Sequence, residues 1–302
     1  MQRIRGLIAI IIVLILAFFE QWAGLDEWME HKYTSLSIPI FGFHNIVAGQ
    51  PQNYLDYTND NLNHFLEYLV SNNYYFLDTV EFYEYFIARK KDLMALTGKK
   101  PIMLTFDDGN RSSTQHILKL IQSFNEKNNV KIKVVLFINT IGFDQEGETV
   151  RCSDLYPAVQ HDQIDVQSHG HSHIDLIQLK SVDLVDELQK ANSMLLSCKL
   201  KSGLEFNDQT MISSMAYPFN SWDDRVQNYV KQEHEAAYTY TNSVFRWGWH
   251  DNSYEIPRIR VYARNSPELL ITIAQQAREV SPHHRQYYKS PHRGQRLFMD
   301  WL

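Results

Sequence analysis

Between residues 37 and 279, short apolar runs alternate with stretches whose apolar residues recur every three or four positions. A run such as "IKVVLFIN" (132–139) has no polar side to turn toward water. It reads as a strand buried on both faces, which is what a parallel sheet covered by helices requires. Further runs of this kind lie at 37–43, 74–79, 101–106, 163–168, 211–219, 236–241 and 255–262. Helices are expected between them, over 59–70, about 80–95, 112–127, 182–199, 222–233 and 266–279, with Asn59 capping the first and Ser181 the one at 182–199. Strand and helix alternate seven or eight times, so the expected fold class is α/β. The expected architecture is a distorted or incomplete (β/α) barrel in a single domain. No internal repeat, low-complexity run or Gly/Ser/Pro linker divides this region.

The amino terminus is of another kind. Arg3 and Arg5 precede an uncharged apolar run from Gly6 to Phe19. Counted from Ile4 to Ala23, the segment makes roughly 30 Å of helix, enough to cross a bilayer. Two readings compete. One is an uncleaved signal-anchor, with the arginines on the cytoplasmic side and Trp22 at the far interface. The other is a signal peptide cleaved near Gln21-Trp22-Ala23, which is a poor site. The anchor reading fits better, and both export the rest of the chain. The expected organisation is a transmembrane segment over 1–24, a linker over 25–36, a catalytic domain over 37–279 and an irregular basic tail over 280–302. The domain is expected outside the cytoplasm, anchored to the membrane by the amino-terminal helix, or secreted if that helix is cleaved.

Charge narrows the partners. With 29 basic and 35 acidic residues the net charge is −6, which excludes the basic footprint of a nucleic-acid binder. A neutral sugar polymer is compatible with it. The two cysteines, Cys152 and Cys198, lack metal-ligand spacing. Cys198 continues the apolar stripe Leu184, Leu188, Ala191 and Leu195, so it reads as a small buried hydrophobe. A disulfide in an oxidising compartment stays open as the alternative.

Two strand ends carry the chemistry. "IMLTFDDGN" (102–110) runs from an apolar strand into adjacent carboxylates, Asp107 and Asp108. Such a pair repels itself and loses solvation unless a cation stands beside it. "QSHGHSHIDL" (167–176) holds His169, His171 and His173 directly after another strand. His169 and His173, four apart, can present imidazoles to one point, with His171 turned elsewhere. One carboxylate and two imidazoles make a three-ligand site with open positions, the pattern of catalytic zinc. The second carboxylate is then placed to accept a proton from water. The bland readings are chance clustering in a chain with 13 histidines and a strand ending at a turn. At a third strand end, "MAYPFNSW" (215–222), Pro218 restricts its predecessor and leaves the Tyr217 N–H as a candidate oxyanion donor. A different reading takes His173, Asp175 and a later histidine, His234 or His250, as the two-His-one-carboxylate set of an iron oxygenase. That site usually needs an antiparallel β-sandwich, which the strand–helix alternation opposes.

Taken together, "TFDDG" (105–109), "SHGHSH" (168–173) with the following "IDL", "AYPF" (216–219) and "IPRIRV" (256–261) resemble the polysaccharide deacetylase family. The resemblance is to members related to the nodulation-factor chitooligosaccharide deacetylase, closest in style to short exopolysaccharide poly-N-acetylglucosamine deacetylases. It spans roughly 37 to 265 and includes "IPIFGFHNI" (38–46) as the first strand. The resemblance implies a hydrolase that removes N-acetyl groups from a GlcNAc-containing glycan with Zn2+ or another divalent transition metal. It implies Asp107 as base, Asp108, His169 and His173 as metal ligands, the Tyr217 amide in the oxyanion hole and Arg258 orienting the base. Pro218, Trp247 and Trp249 are expected along the substrate. The chain departs from the family pattern at Gly170, where Thr or Ser is usual, and at Met215 and Ala216, where many members have arginine. Asn220 stands for a common glycine, and no Leu-x-His near the carboxyl end supplies the general acid. His44, His250, His283 and His284 are substitutes by residue type, with His44 the leading candidate. The missing acid keeps a catalytically inactive glycan-binding module as the alternative.

Overall fold

The computed structural model describes residues 36–203, 211–250, 252–282 and 284. The expected anchor over 1–24, the linker up to residue 35 and most of the basic tail lie outside the described residues. Among the described residues no helix is long and apolar enough to cross a membrane.

Among the described residues, eight strands form the main sheet: β1 (Ile40–Phe43), β2 (Tyr74–Phe76), β3 (Lys100–Phe106), β4 (Val134–Ile138), β5 (Ile164–Ser168), β6 (Ser214–Ala216), β7 (Ala236–Tyr240) and β8 (Ile256–Arg260). They pair in the order β1-β8-β7-β6-β5-β4-β3, and β3 pairs back to β1 through Ile40–Met103 to Phe43–Phe106. Seven parallel strands therefore close on themselves, and β2 adds to the amino half of β3. The helices are α1 (Asn59–Ser71), α2 (Thr79–Phe82), α3 (Arg111–Asn128), α4 (Cys152–Gln160), α5 (Ser181–Lys201), α6 (Asp224–Glu233) and α7 (Pro267–Ala274). The expected alternation is thus realised as a closed (β/α) barrel with seven strands in the ring.

Alternate strand residues divide between two cores, as a pleat with two buried faces demands. Phe41, Leu104, Leu136 and Val166 pack with helix residues such as Leu62, Phe65, Ile117 and Leu195. Their neighbours Ile40, Met103, Val135 and Phe137 join Ala216, Tyr238 and Ile256 in a separate cluster that fills the barrel. This is why every residue of β4 is buried.

Local expectations differ in detail. The helix expected over about 80–95 is four residues of α2, a π-helical turn at Tyr83–Ile87 and a 3₁₀ turn at Leu93–Leu96. Arg89, at φ 53°, leaves the right-handed helical region and ends the run. The cap of α1 is Thr58, whose side chain accepts from Asn61 N at 3.2 Å, and not Asn59. Ser181 is the first residue of α5, and Lys180 occupies the cap position without a side-chain bond. The strand expected at 211–219 shortens to β6, because Tyr217 to Asn220 turn away into the site. Cys152 and Cys198 form a disulfide with Cα atoms 5.5 Å apart, tying α4 to α5. Their separation of 46 residues puts the stabilisation at about 4 kcal/mol by loop-closure entropy.

Candidate metal and acid–base site

The expected residues of the strand ends meet at the carboxyl-terminal mouth of the barrel, where such folds carry their sites. Asp107 and Asp108 follow β3, and His169 follows β5. Candidate ligand atoms of Asp108, His169 and His173 all lie within 4.8 Å of one another, the one such three-residue group among the described residues. Asp108 Oδ1 stands 3.4 Å from His169 Nε2 and 3.2 Å from His173 Nε2. That oxygen is buried and has no hydrogen-bond partner. His169 Nδ1 lies 2.8 Å from the Ala216 carbonyl. A carbonyl only accepts, so Nδ1 carries the proton and, in the neutral ring, Nε2 offers its lone pair to the same point. A buried, unpartnered carboxylate oxygen facing two imidazole nitrogens is a donor set that fits a divalent transition ion.

The backbone is bent to make this possible. Asp108 (φ 74°) and His173 (φ 49°) both sit in the left-handed region, where a non-glycine residue is held only by surrounding structure. Asn139 Nδ2 donates to the Asp108 carbonyl at 2.9 Å and holds the first bend. The buried Glu187 holds the second, its Oε1 accepting from His171 N at 2.8 Å and Ser172 N at 2.6 Å. Gly170 adopts φ 77°, which suits glycine better than the Thr or Ser usual in the family. His171 turns aside to Thr140 Oγ1 at 2.7 Å. Sequence reasoning missed Asn139 and Glu187, because a residue that acts through a loop's backbone leaves no motif.

Asp107 is held differently. Arg258 Nη1 donates to Oδ1 at 2.6 Å and Nη2 to Oδ2 at 2.9 Å, and Tyr240 Oη donates to Oδ2 at 2.8 Å. Arg258 is 0% exposed, so it is no surface ion pair and supplies the guanidinium that Met215 and Ala216 do not. Burial alone pushes the Asp107 carboxyl up. The Arg258 guanidinium overrides it and holds Asp107 below the usual carboxylate range. His44 follows β1 on the same side. Burial lowers its imidazole below the usual 6.5, against the pull of Asp107 and Asp108.

Other expected residues are placed elsewhere or are engaged. The Tyr217 N–H donates to the Tyr238 carbonyl at 3.3 Å, so the amide assigned to the oxyanion hole is engaged by β7. Pro218 is buried, and the next residue, Phe219, is 62% exposed with its ring centroid 4.6 Å from that of His173. Trp247 is 5% exposed and donates to the Phe86 carbonyl at 3.1 Å, so it packs in the core and lines no groove. Its neighbour Arg246 pairs with Ser37, ahead of β1, which puts Trp247 toward the amino-terminal mouth, while Trp249 lines a separate groove with Asn242, Ile259 and Ile273 that includes none of Asp107, Asp108, His169 and His173. His250 bonds Arg246 there as well. His284 follows Val280, which pairs with Thr97 just ahead of β3, and His283 lies outside the described residues. Among the described residues, His44 is the substitute acid that the fold brings toward Asp107, through their shared contact with Tyr240.

The oxygenase reading is overturned. The sheet is a closed parallel barrel, and His234 and His250 do not join His173. Asp175 caps a 3₁₀ turn and accepts from Ser221 Oγ at 2.6 Å and Ile177 N at 3.1 Å.

Comparison with known proteins agrees with this geometry. Residues 95–239 match the polysaccharide deacetylase family. No curated protein matches the sequence. Among solved structures, the chain is similar to a polysaccharide deacetylase from Bacillus cereus at 21% identity, covering 80% of this chain and 69% of that one with a TM-score of 0.66. It is similar to the Streptococcus pyogenes deacetylase PplD, in complex with acetate, at 20% identity, 79% and 98% coverage and a TM-score of 0.64. IcaB from Ammonifex degensii aligns at 16% identity, 80% and 97% coverage and a TM-score of 0.62. At these identities the likeness is one of fold.

Proposed function

Residues 95–239 make this chain a member of the polysaccharide deacetylase family, and on that premise we propose that it is a metal-dependent hydrolase removing N-acetyl groups from a GlcNAc-containing glycan outside the cytoplasm. The observation that carries the reading is the convergence of Asp108, His169 and His173 beside an Asp107 that stays out of their cluster. A divalent ion there, zinc or another transition metal, supplies a Lewis acid and lowers the pKa of a water toward neutrality.

The residues do the rest. Asp107, kept ionised by Arg258, accepts a proton from the attacking water. The water oxygen forms the new bond to the acetamide carbon, and the carbon–nitrogen bond breaks. His44 stands on the Asp107 side as donor of the proton to the leaving amine. The products are acetate and a glucosamine unit. The Tyr217 N–H reaches an oxyanion only if it is shared with the Tyr238 carbonyl. Phe219 offers an exposed aromatic face to a sugar ring beside His173.

Acetate release from acetylated glucosamine oligomers, with and without a chelator, tests the reading. Release that stops with chelator, returns with zinc and falls about 10³-fold in Asp107→Asn supports it. Undiminished release from Asp107→Asn refutes the base assignment. Oligomer binding without turnover in zinc-supplemented buffer supports the inactive glycan-binding alternative. The export reading is supported by the apolar segment at 1–24 and by the Cys152–Cys198 disulfide, a bond that oxidising compartments sustain. Fractionation that finds the protein in the cytosol with both thiols free would overturn it.

A further inference from the structure

Tyr240 touches both proton-transfer groups. Its hydroxyl donates to Asp107 Oδ2 at 2.8 Å. Its ring stacks on His44, with centroids 5.8 Å apart and planes 23° from parallel. We propose that Tyr240 is a positioning residue that orients the base and the candidate acid together. The inference rests on the roles given to Asp107 and His44 above.

Three separate features of the chain hold this one side chain. Gly42, in β1, leaves the space the phenol occupies, because a Cβ there would overlap the ring and hydroxyl of Tyr240. Asn220 clamps its backbone, with Oδ1 accepting from Tyr240 N at 2.5 Å and Nδ2 donating to Tyr240 O at 3.1 Å. Asn220 does so from a left-handed φ of 58°, a conformation that asparagine tolerates, so the departure from the family's glycine keeps the backbone and adds a clamp. The guanidinium carbons of Arg258 and Arg260 each lie 4.1 Å from the ring centroid. A residue kept only for packing needs the ring. The hydroxyl aimed at Asp107 is what a phenylalanine would lack.

Counting lone pairs shows what the hydroxyl does. A carboxylate offers about four hydrogen-bond sites. On Asp107, Arg258 fills one on Oδ1 and one on Oδ2, and Tyr240 fills the second on Oδ2. The open position is on Oδ1, so Tyr240 decides which oxygen receives the proton. On the other side, His44 Nδ1 is buried without a hydrogen-bond partner, so contact with the Tyr240 ring orients the imidazole.

Tyr240→Phe, in the full chain loaded with zinc, is expected to lower kcat about tenfold or more. KM, thermal midpoint and bound zinc should stay within about twofold or within error of the parent, since the mutation leaves fold and ligands in place. Gly42→Ala should reproduce the kcat loss by crowding the phenol off its seat. A kcat within twofold of the parent in Tyr240→Phe overturns the proposal. So does a kcat loss matched by lost zinc or a lowered midpoint. A second readout does not depend on turnover. With ring-labelled histidine, the His44 signal should move in Tyr240→Leu and much less in Tyr240→Phe, which keeps the ring. An unmoved His44 signal in Tyr240→Leu refutes the stacking role, even if the parent releases no acetate and the deacetylase reading itself has failed.

Discussion

The two mouths of the barrel both bury charge, and they treat it in opposite ways. At the amino-terminal mouth Lys133 Nζ meets Asp78 Oδ2 at 2.6 Å and also pairs with Asp162. The buried Asp165 accepts from Thr79 N at 3.0 Å and Gln167 Nε2 at 2.7 Å, and Lys199 Nζ lies 3.7 Å from it. Each carboxylate there has protein donors. At the carboxyl-terminal mouth Asp107 has Arg258 and Tyr240 as donors, but Asp108 Oδ1 is buried without a hydrogen bond, facing the His169 and His173 ring nitrogens, and left-handed residues cluster at Asp108, His173, Phe219 and Asn220. Charge satisfied by the protein serves stability. Charge left unsatisfied on a strained backbone is poised for a ligand.

The largest effect that tests this contrast is Asp108→Ala. It should abolish zinc binding and reduce acetate release by about 10³-fold or more, while removing an unpartnered acceptor costs the fold little. Metal analysis of the purified variant checks it, and retained zinc would break the contrast. Lys199→Met is the counterpart at the other mouth. It leaves Asp165 without its buried cation and should cost about 3–5 kcal/mol in a urea titration, with kcat per folded molecule unchanged.

Next comes pH. Burial lowers His44 below the usual 6.5 of imidazole. A group that must be protonated loses activity as pH rises through its pKa, so with His44 as acid the basic limb of kcat/KM should fall below pH 6.5. Asp107, held below the usual 3.8, loses activity only at still lower pH. A basic limb above about pH 7 would remove His44 from the acid role. The smallest effect belongs to Trp249, which is 44% exposed but lines a groove with Asn242, Ile259 and Ile273 that holds no residue of the metal cluster. Trp249→Ala should change kcat/KM by less than about twofold, and a larger loss would mean that substrate extends into this groove.

Sequence by itself determined the strand–helix alternation, the Asp107–Asp108 pair and the His169–His173 spacing. Each is written within a few adjacent residues, and a parallel barrel sets carboxyl strand ends side by side. Tertiary structure decided the contacts across the chain. The family resemblance named Arg258, but the fold is what carries it to Asp107 over 151 residues, and Tyr240, which no motif named, reaches Asp107 over 133. Only the packing of α4 on α5 settled Cys152 and Cys198 as a disulfide, and only the core around Phe86 took Trp247 away from the substrate. The physical reason is range. Hydrophobic period and ligand spacing act between neighbours in sequence, whereas hydrogen bonds and ring contacts are short in space and blind to sequence distance, so their partners become visible only once the chain has closed.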